Sequence, residues 1–273
     1  MGNILITGHR GWIGSTLTSF LDRQGVSWMG HDYDEGDLKT HLSVFREKLQ
    51  HCHTVVHLAA TARIPPSWQR ADHYRENNVG VTDQIARVCA EENKYLIFSS
   101  SSSIYGDGQG PLNPYAWSKL AGEQSIEMYG RSKGLRYTIL RFFTNYGGVN
   151  PDSLVIGKWL RCYKQRQPIL LRGTGEQSRD FIHVEDTAEA VYRCVNKRPY
   201  GEKLDIGTGV SYKLADIARL FESNIITEPE LMGYSFSTRA NIDYTKDCLN
   251  WYPKQDLMNW IKNELQTFKE LSN

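Results

Sequence analysis

Tyr115 and Lys119 stand four positions apart in Tyr115-Ala116-Trp117-Ser118-Lys119, the spacing that puts two side chains on one face of a helix, one turn apart. A free phenol is ionised in only about one molecule per thousand at pH 7. A lysine ammonium about 4 Å away, at an effective dielectric near 20, contributes about 4 kcal/mol, or roughly three pK units, and would let Tyr115 act as a general base. Upstream, the apolar run Tyr95-Leu96-Ile97-Phe98-Ser99 leads into Ser100-Ser101-Ser102-Ser103-Ile104-Tyr105-Gly106. Hydroxyls crowded at the C-terminal end of a sheet strand lie where open α/β folds bind ligands, and one of them can hold a reacting oxygen.

A second constellation begins the chain. Thr7-Gly8-His9-Arg10-Gly11-Trp12-Ile13-Gly14 follows an apolar strand and opens a helix, the context that a dinucleotide fingerprint requires. Gly8 allows the tight turn, Gly11 lets the backbone approach a pyrophosphate, and Gly14 allows close helix-strand packing. Asp32 lies eighteen positions beyond Gly14, at the end of the second strand, where a carboxylate accepts both ribose hydroxyls and repels a 2′-phosphate. The cofactor expected is therefore NAD, although Arg10 and His31 are near enough to offset part of that repulsion.

The elements that must carry these groups alternate. Strands are expected at Ile4–Thr7, Val26–Gly30, Thr54–Leu58, Tyr95–Ser99 and Tyr137–Phe142, with helices over Ile13–Arg23, about 78–92 and about 115–132. This is the order of an α/β Rossmann-type, doubly wound parallel sheet. After Tyr146-Gly147-Gly148 the texture changes: Asn150-Pro151-Asp152-Ser153 reads as a turn whose Asp or Ser caps a helix running to about 165. Two strands around a Gly-rich turn follow over 168–184, then helices over 211–222 and 256–270. The division expected is a cofactor-binding domain over 1–148, with 180–206 returning to it, and a small interleaved C-terminal substrate-binding lobe over 149–179 and 207–273.

The chain has 273 residues, 40% of them hydrophobic, enough for a full core. A net charge of +1, without a basic stripe, argues against nucleic acid as a partner. No run is long enough to span a bilayer, and the first strand begins at once, so no membrane and a cytoplasmic location are expected. Five scattered cysteines without a CxxC suggest neither disulfides nor zinc. His51-Cys52-His53 and His57 lack a second cluster, so no metal is expected. Trp260 and Phe268 read as core residues.

With these motifs in hand, the chain resembles the extended short-chain dehydrogenase/reductase family, in its nucleotide-sugar epimerase/dehydratase branch. Besides the glycine loop and Tyr115/Lys119, the likeness takes in Val55-Val56-His57-Leu58-Ala59-Ala60, Asn78-Val79-Gly80, the serine strand, Leu140-Arg141-Phe142-Phe143-Thr144-Asn145-Tyr146-Gly147 and Arg179-Asp180-Phe181-Ile182-His183-Val184-Glu185-Asp186. It implies a catalytic set of Ser101, Tyr115 and Lys119. It implies a cofactor site of Gly8, Arg10, Gly11, Trp12, Ile13, Gly14, Asp32, Asp37, Leu38, Leu58, Ala59, Ala60, Asn78, Ser99, Phe142 and Phe143, besides Tyr115 and Lys119. Asn78 would brace the active-site strand. The substrate side would comprise Ser101, Ser102, Thr144, Asn145 and Arg179. Arg179 would pair with a nucleotide diphosphate, unless a salt bridge with Asp180 or Asp186 takes it; Asn145 would stand in where Thr144 replaces the family's asparagine. The resemblance also implies a homodimer built on the helices over 78–92 and 115–132.

Within that branch, dehydratases and decarboxylases carry an acidic residue after the catalytic Ser/Thr, and this chain has Ser102-Ser103 instead. The leading expectation is thus an NAD-dependent 4-epimerase acting on a nucleotide-diphosphate sugar by transient oxidation at C4. A 4-keto-sugar reductase using NAD(P)H is the alternative, because Gly8-His9-Arg10-Gly11 also resembles the loop of GDP-fucose synthase; a dehydratase or a non-catalytic cofactor-binding protein ranks below it. Two segments are shorter than the family norm, between Asp32 and Gly36 and between Ser101 and Tyr115, and the first leaves little room for another strand.

Overall fold

The computed structural model describes residues 3–149, 151–152 and 154–271. Six strands, β1 (Asn3–Thr7), β2 (Trp28–His31), β3 (Cys52–His57), β4 (Tyr95–Ser101), β5 (Arg136–Phe142) and, much later, Lys203–Ile206, form one wholly parallel sheet in which β1 lies between β2 and β3. The helices of this half are α1 (Trp12–Arg23), α2 (Leu42–Leu49), α3 (Ile64–Gln69), α4 (Ala71–Tyr74), a π-helical turn (Arg75–Gly80), α5 (Val81–Glu91) and α6 (Pro114–Lys133). The chain winds from β1 out to β2, an edge strand, and then back across to β3. That reversal places the C-terminal ends of β1 and β3 beside a crevice, the usual ligand position in such sheets.

Beyond β5 come β6 (Thr144–Tyr146), α7 (Val155–Lys164), β7 (Ile169–Arg172), β8 (Ser178–His183) and α8 (Val184–Lys197). The last strand of the large sheet is β9 (Lys203–Ile206), followed by β10 (Ser211–Lys213), α9 (Leu214–Arg219), β11 (Ile225–Glu228), α10 (Asp243–Leu249) and α11 (Leu257–Leu271). A three-stranded sheet in the order β10-β8-β6 and a parallel pair β11-β7 complete the set. The helix expected over 211–222 thus opens as a strand, because Ser211–Lys213 pairs antiparallel with Ser178–Asp180. The helix α7 starts from Leu154 with no side-chain cap, and Asp152 pairs with Arg161 instead; Asn150 and Ser153 lie outside the described residues.

Three apolar clusters hold the layers together. Ile4, Ile6, Val56, Ile97 and Leu140 point to the face covered by α1 and α8, and Leu5, Val55, Leu96, Phe98 and Ile139 to the face covered by α2, α5 and α6. This strict alternation along strands buried on both sides explains why they read as continuous apolar runs. The third cluster, centred on Trp159, Phe181, Phe221 and Ile261, belongs to the smaller lobe. Trp251 and Leu249 pack into the first cluster, and Phe268 stacks against Tyr163. No helix among the described residues is long and apolar enough to cross a membrane.

Candidate active site

The glycine loop leaves β1 through Gly8, whose φ of +72° is open to glycine alone at no steric cost. A Cβ on Gly8 would stand 2.7 Å from the Ala59 nitrogen, and one on Gly14 would stand 2.1 Å from the Gly8 oxygen. The Gly8 amide donates to the His31 carbonyl at 2.9 Å and the Leu58 amide to the Thr7 carbonyl at 3.1 Å, so the ends of β1, β2 and β3 meet at the loop. Helix α1 begins at Gly11 without a side-chain cap, leaving its first N–H groups and the positive end of its dipole facing the crevice. The indole N–H of Trp12 is buried there without a partner among the described residues, whereas the Ile13 side chain packs against the core. This is a cradle for a pyrophosphate, and the residues present fit a dinucleotide.

At the edge of the cradle, Asp32 accepts from the Arg10 amide at 2.9 Å and from the Tyr33 amide at 2.9 Å. Its carboxylate therefore fixes the loop and retains lone pairs for a further donor. The Arg10 guanidinium pairs with Asp34. The expectation that His31 offsets the Asp32 charge does not hold: the ring is buried, bonds to the Gly36 carbonyl at 2.9 Å, and has its pKa lowered by burial, which favours the neutral form. Asp37 accepts from the Lys39 amide, Leu38 is buried, and Ala59 and Ala60 lie on the crevice rim.

Helix α6 positions Tyr115 and Lys119. Asn113 caps it by accepting from the Ala116 amide at 2.8 Å, and Pro114 fills its first position. Tyr115 thereby falls in the first turn, half-buried, with Tyr74 packed edge-on at 6.2 Å. Burial raises its phenol pKa, and the Ser101 hydroxyl nearby opposes that rise. Ser101 also shares a 2.8 Å hydrogen bond with Ser103. Ser102, expected toward substrate, is 8% exposed in the turn behind, and Ser103 is the hydroxyl that joins Ser101.

Lys119, one turn further along α6, lies beneath β4. Its Nζ donates to the Ser99 carbonyl at 2.8 Å and lies 4.9 Å from the Phe98 ring centroid. It is 4% exposed, and burial lowers its pKa to about 7. The amine is held under the strand by the Ser99 carbonyl. Ser99 itself donates to the His57 carbonyl at 2.9 Å and ties β4 to β3. His57 is a strand histidine: it bridges Thr7 and Thr82, and burial lowers its pKa to about 3.

Three further expectations change. Asn78 exchanges hydrogen bonds of 2.8 and 2.9 Å with the Thr61 backbone and donates to Ser118 at 2.9 Å; it braces the loop after β3 against α6, not the strand β4. Asn145 uses its amide internally, donating to the Phe143 carbonyl and accepting from Thr187 at 2.7 Å, so it cannot replace Thr144 toward a ligand as placed. Phe142 and Phe143 belong to the core beneath the crevice. Arg179, by contrast, forms no salt bridge among the described residues. Its Nη1 donates to the carbonyls of Ser178 and Phe236, while Asp180 is taken by Thr208, Gly209 and Ala240, and Asp186 by Lys254 and Gln255.

Residues 4–207 match the NAD dependent epimerase/dehydratase family. The chain belongs to that family. The family's cofactor, NAD, is the dinucleotide that the glycine cradle accommodates, and the chain is an NAD-dependent enzyme. It is 28% identical over 311 aligned positions, covering 98% of each chain, to a Bacillus subtilis protein described as an uncharacterized UDP-glucose epimerase. It is 26% identical to the UDP-glucuronate 4-epimerase of Thermodesulfobacterium geofontis, covering 99% of each chain. Among solved structures, MoeE5 in complex with UDP-glucuronic acid and NAD superposes with a TM-score of 0.90 at 26% identity over 100% of both chains.

The family member in hand carries one more feature beneath its catalytic set. Glu123 is 1% exposed, accepts from Ser100, and receives a two-pronged contact from Arg141, Nε at 3.0 Å and Nη2 at 2.7 Å. Arg141 also donates to the Tyr105 hydroxyl, which donates to Asp205 at 2.6 Å. This network joins β4, α6, β5 and β9 behind the serines. The sequence did contain its signals: Glu123 continues the Tyr115-Lys119 spacing by one turn, and Arg141 interrupts an apolar strand.

Proposed function

We propose that this enzyme is a nucleotide-sugar 4-epimerase in which Tyr115 is the general base. The observation that carries the reading is the convergence of the Ser101 hydroxyl, at the end of β4, and the Tyr115 phenol, in the first turn of α6, beside the glycine crevice, with no acidic side chain in the serine turn. The sugar C4 hydroxyl would sit between the two oxygens. Tyr115 takes its proton, and Ser101 donates to the oxygen as it becomes a carbonyl. NAD, when bound, accepts hydride from C4 and returns it. The keto sugar turns over in the pocket, and Tyr115 gives the proton back after hydride reaches the other face.

Gly8, Gly11 and Gly14, with the amides of Trp12 and Ile13, would hold the pyrophosphate, and Asp32 would accept from the adenine ribose. Arg179, unpaired by any acid, would meet the substrate diphosphate. The relatives named as UDP-sugar 4-epimerases and the neighbour holding a UDP-sugar with NAD support this reading. Trp117, 48% exposed, and Met128, 42% exposed, lie on one face of α6, which suits packing against a second copy. The test is to incubate the purified protein with UDP-sugars and resolve 4-epimers by chromatography, alongside Tyr115→Phe. Epimer formation by the wild type, abolished in the variant and needing no added cofactor, is expected. Consumption of added NADH or NADPH with net reduction of a 4-keto sugar would select a reductase instead.

A further inference from the structure

The segment 229–238, between β11 and α10, has no helix or named strand of its own, yet it is pinned from three sides. At the start of α6, Asn113 donates from Nδ2 to the Gly233 carbonyl at 2.8 Å, and a Cβ on Gly233 would stand 2.9 Å from the Trp68 ring of α3. Along β8, the Ser178 amide donates to the Phe236 carbonyl at 2.9 Å and the Thr238 amide to the Ser178 carbonyl at 3.2 Å. The third tie is Asp107, in the 3-10 turn Gly106–Gly108 that follows the serine turn. Its carboxylate accepts from the Phe236 amide at 2.6 Å and from the Ser237 amide at 3.1 Å. The strap therefore lies against the cap that sets Tyr115 in its helix and against the chain that leads on from Ser101.

These ties meet Arg179 at residue Phe236. The Phe236 amide goes to Asp107, and its carbonyl accepts from Arg179 Nη1 at 3.1 Å. The same Nη1 donates to the Ser178 carbonyl at 2.7 Å. Two carbonyls on one nitrogen fix the plane of the guanidinium, while Nε and Nη2 have no partner among the described residues. That edge is the one with which Arg141 grips both oxygens of Glu123, at 3.0 and 2.7 Å. Burial lowers the Arg179 pKa, and Asp107 is first among the groups that oppose the fall.

An arginine edge held in this way takes a pair of anionic oxygens. Its direction depends on the Phe236 carbonyl that occupies Nη1, and Asp107 fastens the strap on which that carbonyl is carried. We propose, on the reading of Arg179 given above, that Asp107 is a positioning residue: by latching the 229–238 strap to the turn after the serines, it keeps the Nε and Nη2 edge of Arg179 presented to two oxygens of the substrate diphosphate. One short stretch then serves both ends of the substrate, Ser101 at the C4 oxygen and Asp107, through the strap, at the diphosphate.

The experiment is a double-mutant cycle read by the calorimetric Kd of UDP with NAD present, for the wild type, Asp107→Gly, Arg179→Gln and the two combined. Asp107 stands at φ 54°, which glycine adopts without strain, so Asp107→Gly removes the carboxylate at no cost in backbone conformation. Arg179→Gln should weaken UDP about 100-fold. Asp107→Gly should weaken it about 10-fold, and Asp107→Asn, which keeps one acceptor, by less. In the Arg179→Gln background, Asp107→Gly should cost less than about 2-fold, because no guanidinium is left to position. A full loss in that background would make Asp107 merely structural and overturn the proposal, as would an unchanged Kd for Asp107→Gly alone. An unchanged Kd for Arg179→Gln would remove the reading of Arg179 as well. UDP binding requires no turnover, so a failure to form epimers would sink the epimerase reading separately and leave the cycle to decide the role of Asp107.

Discussion

The two ends of the crevice are built differently. At the nucleotide end, function depends on the absence of side chains: Gly8 and Gly14 let the backbone of the loop, the first turn of α1 and Ala59 come within contact of one another. At the other end, side chains from β4, α6 and α4 converge, and a network that starts at the buried Glu123 and runs through Arg141 and Tyr105 to Asp205 ties the strands behind them. The first end is set by local backbone geometry and tolerates almost no added atoms. The second has room for exchange of side chains but depends on the buried charge of Glu123 and its Arg141 partner.

The sharpest way to separate the two is Tyr115→Phe, expected to lower kcat about 1,000-fold or more without changing the NAD retained after gel filtration. Gly14→Ala should do the reverse, releasing NAD, because its added carbon would collide with the Gly8 oxygen. If both variants lost NAD and activity together, the ends would not be independent. Glu123→Gln leaves the Arg141 guanidinium short of its charged partner and should cost about 3–5 kcal/mol in urea unfolding. A cost under about 1 kcal/mol would mean that the network does not hold the reacting end.

Lys119 gives a smaller effect with a defined sign. Its pKa falls from an ordinary 10.5 to about 7 through burial, so between those values the unfolded chain binds more protons than the folded one. Stability of the cofactor-free protein should rise with pH across that window and carry the full penalty below it. Lys119→Met removes the penalty: its Tm advantage should be largest below about pH 7 and should fade by about pH 10.5. A constant difference at all pH values would contradict the buried-ammonium account. The smallest change is Arg63→Gly, expected to stabilise by about 1–3 kcal/mol through relief of a φ of 105°, which side-chain-bearing residues rarely adopt.

The same contrast governs what could be read from the sequence. The glycine loop was legible because its requirements are local, and Tyr115-Lys119 because helical spacing brings them to one face. The partners of Lys119, Asn78 and Asn145 were not, since each is chosen by a strand or loop distant in the chain. Helix α8 was legible in principle, since it keeps a clear apolar face while also burying Asp186, Thr187 and Glu189. Strand β10 was read as part of a helix because its pairing with β8 is non-local. The strained φ of Arg63 is imposed by Tyr74 and Asn78, and nothing in Thr61-Ala62-Arg63-Ile64 announces it.

The central claim, hydride leaving and returning to C4 under the control of Tyr115, is tested most directly with UDP-sugars carrying deuterium at C4. The account predicts a 4-epimer that keeps its deuterium at C4 in ordinary water, formed without added cofactor and absent with Tyr115→Phe. Loss of the label to solvent, or epimer formed at the same rate by Tyr115→Phe, would contradict it.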